Sequence, residues 1–383
     1  MALRFILNET SYFGKNAREV LPEEIVKRGF KKVFLVTDKA LVEAGVTKRV
    51  TDILDRADIE YTVYDNVKPN PTIANVLGGV ERCTLDKADV IVAVGGGSAM
   101  DTAKGISILM TNPDRTLESL AGLSNTINKG MPMICLPTTH GTASEVTINY
   151  VITDESRKIK MVMVDPNDIP CLAIVDSELM STMPKSLAAA TGMDALTHAV
   201  EGYITKAHNT MSDMFHMEAI KLIFKYLPSA VNNKDEEALE NMALAQYMAG
   251  MGFSNVGLGI VHSMAHQLGA VYDTPHGIAN AILLPTVMRF NGEVCAQRFR
   301  EILCEIGRPD AMNLNDQDVI NTFCWMISEL SKAVGITTTV KDTGATEEDL
   351  EMLAEKAMED PCRPGNPRET TKEDFINLYK QAM

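Results

Sequence analysis

Asp194 and His198 stand four residues apart in TGMDALTHAVEGY (191–203), and His262 and His266 repeat that spacing in GLGIVHSMAHQLGA (257–270). Four residues is just over one helical turn, so each pair shares a helix face. His276 follows in TPHG, where Thr274 is expected to cap a helix with Pro275 in its first turn. The positive end of such a helix disfavours imidazolium, which keeps the ring neutral and able to ligate. Imidazoles in apolar helices need partners, because an unpaired buried polar group costs about 1–3 kcal/mol. A divalent cation would satisfy several at once, and Asp194, His198, His262, His266 and His276 are the candidates to surround it. For His208 and His216 the expectation is an ordinary, satisfied core histidine. The His262/His266 pair does not signal a zinc protease. That chemistry needs glutamate directly after the first histidine, and Ser263 stands there.

A second group of residues suits a phosphate. The apolar run 90–94 (VIVAV) leads at once into Gly95, Gly96, Gly97 and Ser98, after which a helix is expected to start, with Ser98 and Asp101 spaced as a capping box. Glycines let the backbone approach a ligand closely, and free amides at a helix start attract anions. The full G-x-G-x-x-G spacing is missing, so the turn alone is compatible with an ordinary strand-to-helix connection. Two neighbours strengthen the dinucleotide reading. The strand-like run 31–37 ends at Asp38, whose carboxylate could accept from a ribose diol and would repel a 2′-phosphate, favouring NAD over NADP. The segment PTTHGTASE (137–145) offers three threonines and a serine after another strand-like run.

These residues must be held by two kinds of architecture. Up to about residue 183, β-branched runs at 31–37, 61–65, 90–94, 133–136 and 172–175 alternate with amphipathic stretches at 22–29, 46–57 and 72–87. That rhythm predicts βαβ units and a mainly parallel sheet. From residue 184 the pattern becomes helix after helix: 185–205, 210–226, 236–251, 257–270, 275–290, 316–334 and 346–358. The expected domains are therefore 1–183, an α/β dinucleotide-binding domain, and 184–383, an all-α metal-binding and catalytic domain. A chain of 383 residues is long enough for two cores. Seven cysteines without a Cys-x-x-Cys pair argue against a disulfide framework and a thiolate zinc knuckle. A net charge of −15 disfavours nucleic acid or an anionic membrane as partner. Residues 1–14 lack the pattern of a secretory signal, so a cytoplasmic location is expected.

GGGSAMDTAK, PTTHGTASE, TGMDALTHAVEGY and GLGIVHSMAHQLGAVYDTPHGIANAILLP resemble the signatures of the iron-dependent (group III) alcohol dehydrogenases, and the likeness runs from FILNETSYFG to GNPRETTKEDF. Within that family ILNET, TINYVITDE, EGYIT and GMGFSNVGLG resemble the members acting on lactaldehyde and propane-1,2-diol. The 1,3-propanediol dehydrogenases share the metal motifs but fit those stretches less well. The resemblance implies a dehydroquinate synthase-like fold and hydride transfer between NAD(H) and a small alcohol/aldehyde pair. It implies Fe2+, with Zn2+ as alternative, on Asp194, His198, His262 and His276, while His266 lines the site without ligating and is our candidate for relaying the proton. It places NAD against Asp38, Asn70, the 95–98 turn, Thr138, Thr139, Thr142 and Lys160, and the substrate against Asn149, Phe253 and Cys362. A homodimer is the expected assembly. His140 stands where alanine is frequent in the family and is read as a tolerated loop substitution, the alternative being that it reaches the nicotinamide side and alters the size or polarity of the substrate. Two other classes stay open on the residues alone: a metal-dependent hydrolase using the 95–98 turn for substrate phosphate, and a catalytically silent NAD-binding regulator.

Overall fold

Successive residues of a strand point to opposite faces, and a sheet buried on both faces needs continuous apolar runs. The first unit follows this rule. The computed structural model describes residues 3–123, 126–157 and 159–383, in two units, Met1–Met183 and Pro184–Met383. The first contains strands β1 (Thr10–Phe13), β2 (Lys32–Asp38), β3 (Glu60–Val67), β4 (Val90–Gly95), β5 (Gly122–Leu123), β6 (Met133–Pro137), β7 (Asn149–Asp154), β8 (Ile159–Val164) and β9 (Leu172–Val175). Its helices are α1 (Leu21–Lys27), α2 (Lys39–Glu43), α3 (Val46–Arg56), α4 (Ile73–Asp86), α5 (Gly97–Thr111), α6 (Leu117–Leu120) and α7 (Ser177–Met180).

Six strands form one parallel sheet in the order β1-β9-β6-β4-β2-β3. Val33, Leu35, Val92, Ile134 and Ile174 face a core completed by Leu21 and Ile25 of α1 and Val46, Val50 and Leu54 of α3. Phe34, Val36, Ile91, Ala93 and Cys135 face the other core, with Val76 of α4 and Met100, Ala103 and Ile106 of α5. The chain runs from β2 out to β3, then returns past β2 to β4. Strand order therefore reverses between β2 and β4, and a doubly wound sheet offers its ligand crevice at the carboxyl ends of those strands. Asp38 and Gly95 are the residues found there.

A second, three-stranded sheet, β5-β8-β7, is an addition to the architecture expected from the sequence. The β7–β8 pair is an antiparallel hairpin with Tyr150, Ile152 and Asp154 turned inward. Its runs are short and carry polar residues on the outer face, so they lack the apolar density of the central strands. The edge strand β1 is equally faint in the sequence for the same reason: it pairs only with β9 and has no fully buried residue.

The second unit is helical throughout its described residues: α8 (Lys185–Ile204), α9 (Thr210–Asn232), α10 (Glu236–Val256), α11 (Ile260–Tyr272), α12 (His276–Glu305), α13 (Asp316–Ala333), α14 (Leu350–Glu359) and α15 (Lys372–Ala382), with short 3-10 turns between some of them. Several of the helices outrun their expected ends, α10 among them, which runs past Met251 to Val256. α9 continues past Tyr226 through Pro228, and α12, with Pro285 inside it, runs past Phe290. Each proline removes one N–H, yet packing on both sides keeps the helix going, because tertiary burial outweighs local propensity. α8 is buried on every side from Ala188 to Ile204, the arrangement of a central core helix. Among the described residues no helix is long and apolar enough to cross a membrane. All seven cysteines are free thiols, five of them buried.

Candidate metal centre and cofactor turn

In the second unit three helices each present polar residues at helical spacing. α8 carries Asp194, His198 and Glu201 at i, i+4 and i+7, α11 carries His262 and His266, and α12 opens with His276 and Asn280. Gly277 permits the start of α12 to come close to α8, since a Cβ there would lie 2.1 Å from the Ala190 carbonyl oxygen. One ligand atom from each of Asp194, His198, His262 and His276 then falls within 4.8 Å of the others. The Nε2 atoms of His198, His262 and His276 lie 3.9, 4.0 and 3.5 Å from Asp194 Oδ1. Those separations are too long for direct hydrogen bonds and suit donors arranged around a common centre.

The chemistry of the donor set fits a cation. His262 Nδ1 lies 2.6 Å from Glu201 Oε2, while Glu201 Oε1 accepts from the Val261 N–H at 2.7 Å. With Nδ1–H donated to the carboxylate, Nε2 carries a lone pair toward Asp194. Such carboxylate–histidine pairs fix the tautomer of a ligating ring. Burial drives the His262 pKa well down, and repulsion from the neighbouring histidines lowers it further, so the ring is held neutral. Burial raises Glu201 to about 7, whereas positive charge on the far side of the imidazole would favour its ionised form. The ring of Phe253 stacks on His198 at 4.2 Å and 15°, and His198 stacks in turn on His262 at 4.7 Å. These contacts hold the imidazoles in place from the apolar side.

His266 belongs to a neighbouring cluster. Its Nδ1 lies 2.8 Å from Asp360 Oδ2, and Cys362 completes a group of three potential ligand atoms. Burial pushes the Asp360 carboxyl up, but the charge and hydrogen bond of His266 and the Cys362 N–H outweigh it, leaving a lowered pKa. Burial also raises the Cys362 thiol well above its usual range, so it lines the site as a neutral thiol, not as a nucleophile.

In the first unit β4 ends at Gly95, and α5 starts at Gly97 with Gly96 as its N-cap and no side-chain cap. The Ser98–Asp101 capping box expected from the sequence is absent. Asp101 is instead turned inward, accepting from Ser144 Oγ at 2.9 Å and from the Val151 N–H at 3.0 Å. The amides at the start of α5 thus donate to no side-chain cap, as an anion site requires. A Cβ on Gly96 would meet Thr139 Cγ2 at 3.1 Å, and one on Gly97 would meet Thr142 Cγ2 at 3.0 Å. The 137–145 loop therefore packs directly over the glycine turn. One turn beyond Asp101, the fully buried Lys104 donates to the carbonyls of Thr147 and Asn149 at 2.6 and 2.9 Å. Asp101 and Lys104 together tie α5 to the start of β7.

Of the remaining residues singled out from the sequence, Asp38 ends β2 and its carboxylate accepts from the Leu41 N–H at 2.9 Å, capping α2. Asn70 has a left-handed backbone (φ 54°), and its Oδ1 accepts from Lys160 Nζ at 2.9 Å, joining two of the residues assigned to the cofactor. Thr138 donates its backbone N–H to Gly95 at 3.0 Å. His140 is fully buried, and burial lowers its pKa to about 4. Two local expectations fail. Thr274 does not cap α12, whose N-cap is Pro275, and its hydroxyl is buried without a partner. The helix expected from residue 257 begins only at Ile260, because Gly257 terminates α10. Neither remaining histidine is a satisfied core residue. His208 is exposed beside Asp213, at 3.3 Å, and His216 is buried, with neither ring nitrogen hydrogen-bonded. Glu201, Asp360 and Asn280 hydrogen-bond to the candidate site residues and are not singled out by the sequence motifs. Glu201 and Asn280 carry a usable signal, since each continues a helical stripe begun by Asp194 or His276.

Comparison with known proteins covers both units. Residues 8–177 match the iron-containing alcohol dehydrogenase family, and residues 188–383 match the C-terminal part of the Fe-containing alcohol dehydrogenase family. The chain is 48% identical to the lactaldehyde reductase of Escherichia coli K12 over 384 residues, covering 100% of both chains. It superposes on the crystal structure of a 1,3-propanediol oxidoreductase with a TM-score of 0.96 and 39% identity, covering 100% of each. A sulfoacetaldehyde reductase from Bifidobacterium kashiwanohense, solved in complex with NAD+, gives a TM-score of 0.90 at 30% identity, covering 100% of this chain and 99% of that one.

Proposed function

This chain belongs to the iron-containing alcohol dehydrogenase family, and from that premise we propose that it reduces lactaldehyde with NADH to propane-1,2-diol and NAD, and catalyses the reverse. Membership of that family replaces the phosphohydrolase and silent-regulator readings. The observation that carries the proposal is the set of four donors with the His262 tautomer fixed by Glu201. Iron(II), the family's metal, would be held by Asp194, His198, His262 and His276, with zinc as the alternative; nitrogen and oxygen donors suit either. In this reading the first unit is the NAD-binding domain and the second the metal-binding, catalytic one. The cation would supply Lewis acidity toward the substrate oxygen, and the nicotinamide would supply or take up the hydride.

The chain's own residues do the rest. The uncapped start of α5 and the turn of Gly95, Gly96, Gly97 and Ser98 bind the diphosphate, with Thr138, Thr139 and Thr142 above it. Asp38 holds the ribose diol, and the Asn70–Lys160 pair adds one positive charge near the phosphates. Phe253 and the neutral Cys362 thiol, both in the second unit, supply an apolar wall that suits a short carbon chain. With Nδ1 committed to Asp360, the Nε2 atom of His266 is the nitrogen that holds and passes the proton the alkoxide needs. A homodimer in the cytoplasm completes the proposal, and light scattering tests the assembly.

The same pocket residues would accept 1,3-propanediol or another short primary alcohol, and the likeness to the 1,3-propanediol oxidoreductase supports that as the alternative. NADH oxidation by anaerobically purified protein decides between them, run with lactaldehyde and 3-hydroxypropanal, before and after chelation, with Fe(II) or Zn(II) restored separately. Lactaldehyde activity that vanishes on chelation and returns with one ion is the expected result. Preference for 3-hydroxypropanal would move the assignment to the alternative, and no turnover of any short aldehyde by metal-loaded protein would refute it.

A further inference from the structure

Asn280 is fully buried one helical turn beyond His276 on α12. Its Nδ2 donates to Asp194 Oδ1 at 2.7 Å and lies 3.3 Å from His262 Nε2 and 3.2 Å from His276 Nε2. The direction of the amide follows from its neighbours. Asp194 Oδ1 is the acceptor at 2.7 Å, and His262 has given its one N–H to Glu201, so its Nε2 carries a lone pair and no hydrogen. An amide oxygen turned toward them would set acceptor against acceptors. The nitrogen end therefore faces the donors of the centre, and the oxygen points away, where it is buried with no hydrogen-bond partner. A side chain present only to fill space would avoid that cost, since an apolar residue fills the same volume without an unpaired carbonyl.

We infer that Asn280 is a positioning residue of the metal centre, holding the Asp194 carboxylate in the orientation that presents its remaining lone pairs to the cation. The same hydrogen bond ties α12 to α8, since Asn280 is on α12 and Asp194 on α8. Asn280 acts through that carboxylate and is not itself a ligand. The inference rests on the reading of Asp194, His198, His262 and His276 as the ligands. Partners of this kind, behind a ligand, govern metal affinity by about 10–100-fold.

The test uses the full-length protein, stripped of metal and titrated anaerobically with Co2+ against a competing chelator, following the visible ligand-field bands. Asn280→Leu fills the space without the donor and is expected to weaken Co2+ binding by about 10–100-fold and to alter the bands, while NADH binding is unchanged. Asn280→Asp keeps the shape and sets a second carboxylate against Asp194. Its metal-free melting temperature is expected to fall, and its gain on Co2+ saturation to exceed that of the wild type. Wild-type affinity and bands in Asn280→Leu would overturn the inference. So would an unchanged metal-free melting temperature in Asn280→Asp, the variant that decides if Asn280→Leu does not fold. Failure of the wild type itself to bind Co2+ would overturn the metal centre, and the role of Asn280 with it.

Discussion

Replacing Glu201 by glutamine changes one atom and tests how the metal centre is built. The carboxylate accepts twice, from the Val261 N–H at 2.7 Å and from His262 Nδ1 at 2.6 Å. Glutamine can accept at only one of these places. If its oxygen stays with Val261, the amide nitrogen faces His262 Nδ1, which must then accept, and the ring's proton moves to Nε2. That tautomer has no lone pair for a cation. If the amide turns over, two donors meet at Val261, and a buried hydrogen bond to a charged group is lost, costing about 1.5–3 kcal/mol. Either way metal binding weakens by roughly that energy, which is about 10–100-fold in affinity. The assay is chelator competition on anaerobic Glu201→Gln protein with metal content measured directly, and NADH binding serves as the check that the first unit is intact. Expected is a dehydrogenase that binds NADH normally and loses its metal at chelator concentrations the wild type withstands. Wild-type metal affinity in Glu201→Gln would refute the tautomer argument.

Three further outcomes are expected. Asp38→Asn retains the oxygen that caps α2 and removes only the charge; it should raise the NADPH/NADH ratio of kcat/KM by about tenfold, and an unchanged ratio would separate Asp38 from cofactor choice. In Gly97→Ala the added Cβ meets Thr142 at 3.0 Å and intrudes on the phosphate turn, so the Kd for NADH should rise about tenfold with metal content unchanged; normal NADH binding would remove the turn from the cofactor site. Burial holds His140 at about 4 against an ordinary 6.5, so between those values the unfolded chain takes up a proton and the folded chain does not. The stability of the neutral ring is complete above pH 6.5 and is lost as pH falls toward 4, about 3 kcal/mol in all. His140→Gln should therefore show a shallower fall in melting temperature between pH 7 and pH 4.5, and identical slopes would contradict the buried, neutral ring.

Much of this molecule is legible in its amino-acid sequence. Apolar runs at 31–37, 90–94 and 172–175 are strands because a parallel sheet covered on both faces needs them, and alternate residues of the first two do fill two separate cores. The i, i+4 pairs Asp194/His198 and His262/His266 need only helical geometry to be placed on one face each. Local capping is less legible. Ser98 and Asp101 have capping-box spacing, but Asp101 is drawn inward by Ser144 and Val151, partners 43 and 50 residues away in sequence. Thr274 likewise has a capping residue's chemistry and does not cap.

Sequence by itself thus determined the two rhythms of the chain, the parallel sheet, the glycine turn and five candidates to surround a metal, Asp194, His198, His262, His266 and His276, from which the family resemblance and not the spacing set His266 aside. It did so because helix and strand periods are local properties of the backbone. Only the tertiary structure decided which buried groups pair with these side chains. Glu201 meets a histidine 61 residues away, Asn280 an aspartate 86 residues away, and Asp360 a histidine 94 residues away. Periodicity sets which face of a helix a residue occupies, but the packing of one helix on another sets which two faces meet. The tautomer of His262 and the orientation of Asp194 are consequences of that packing.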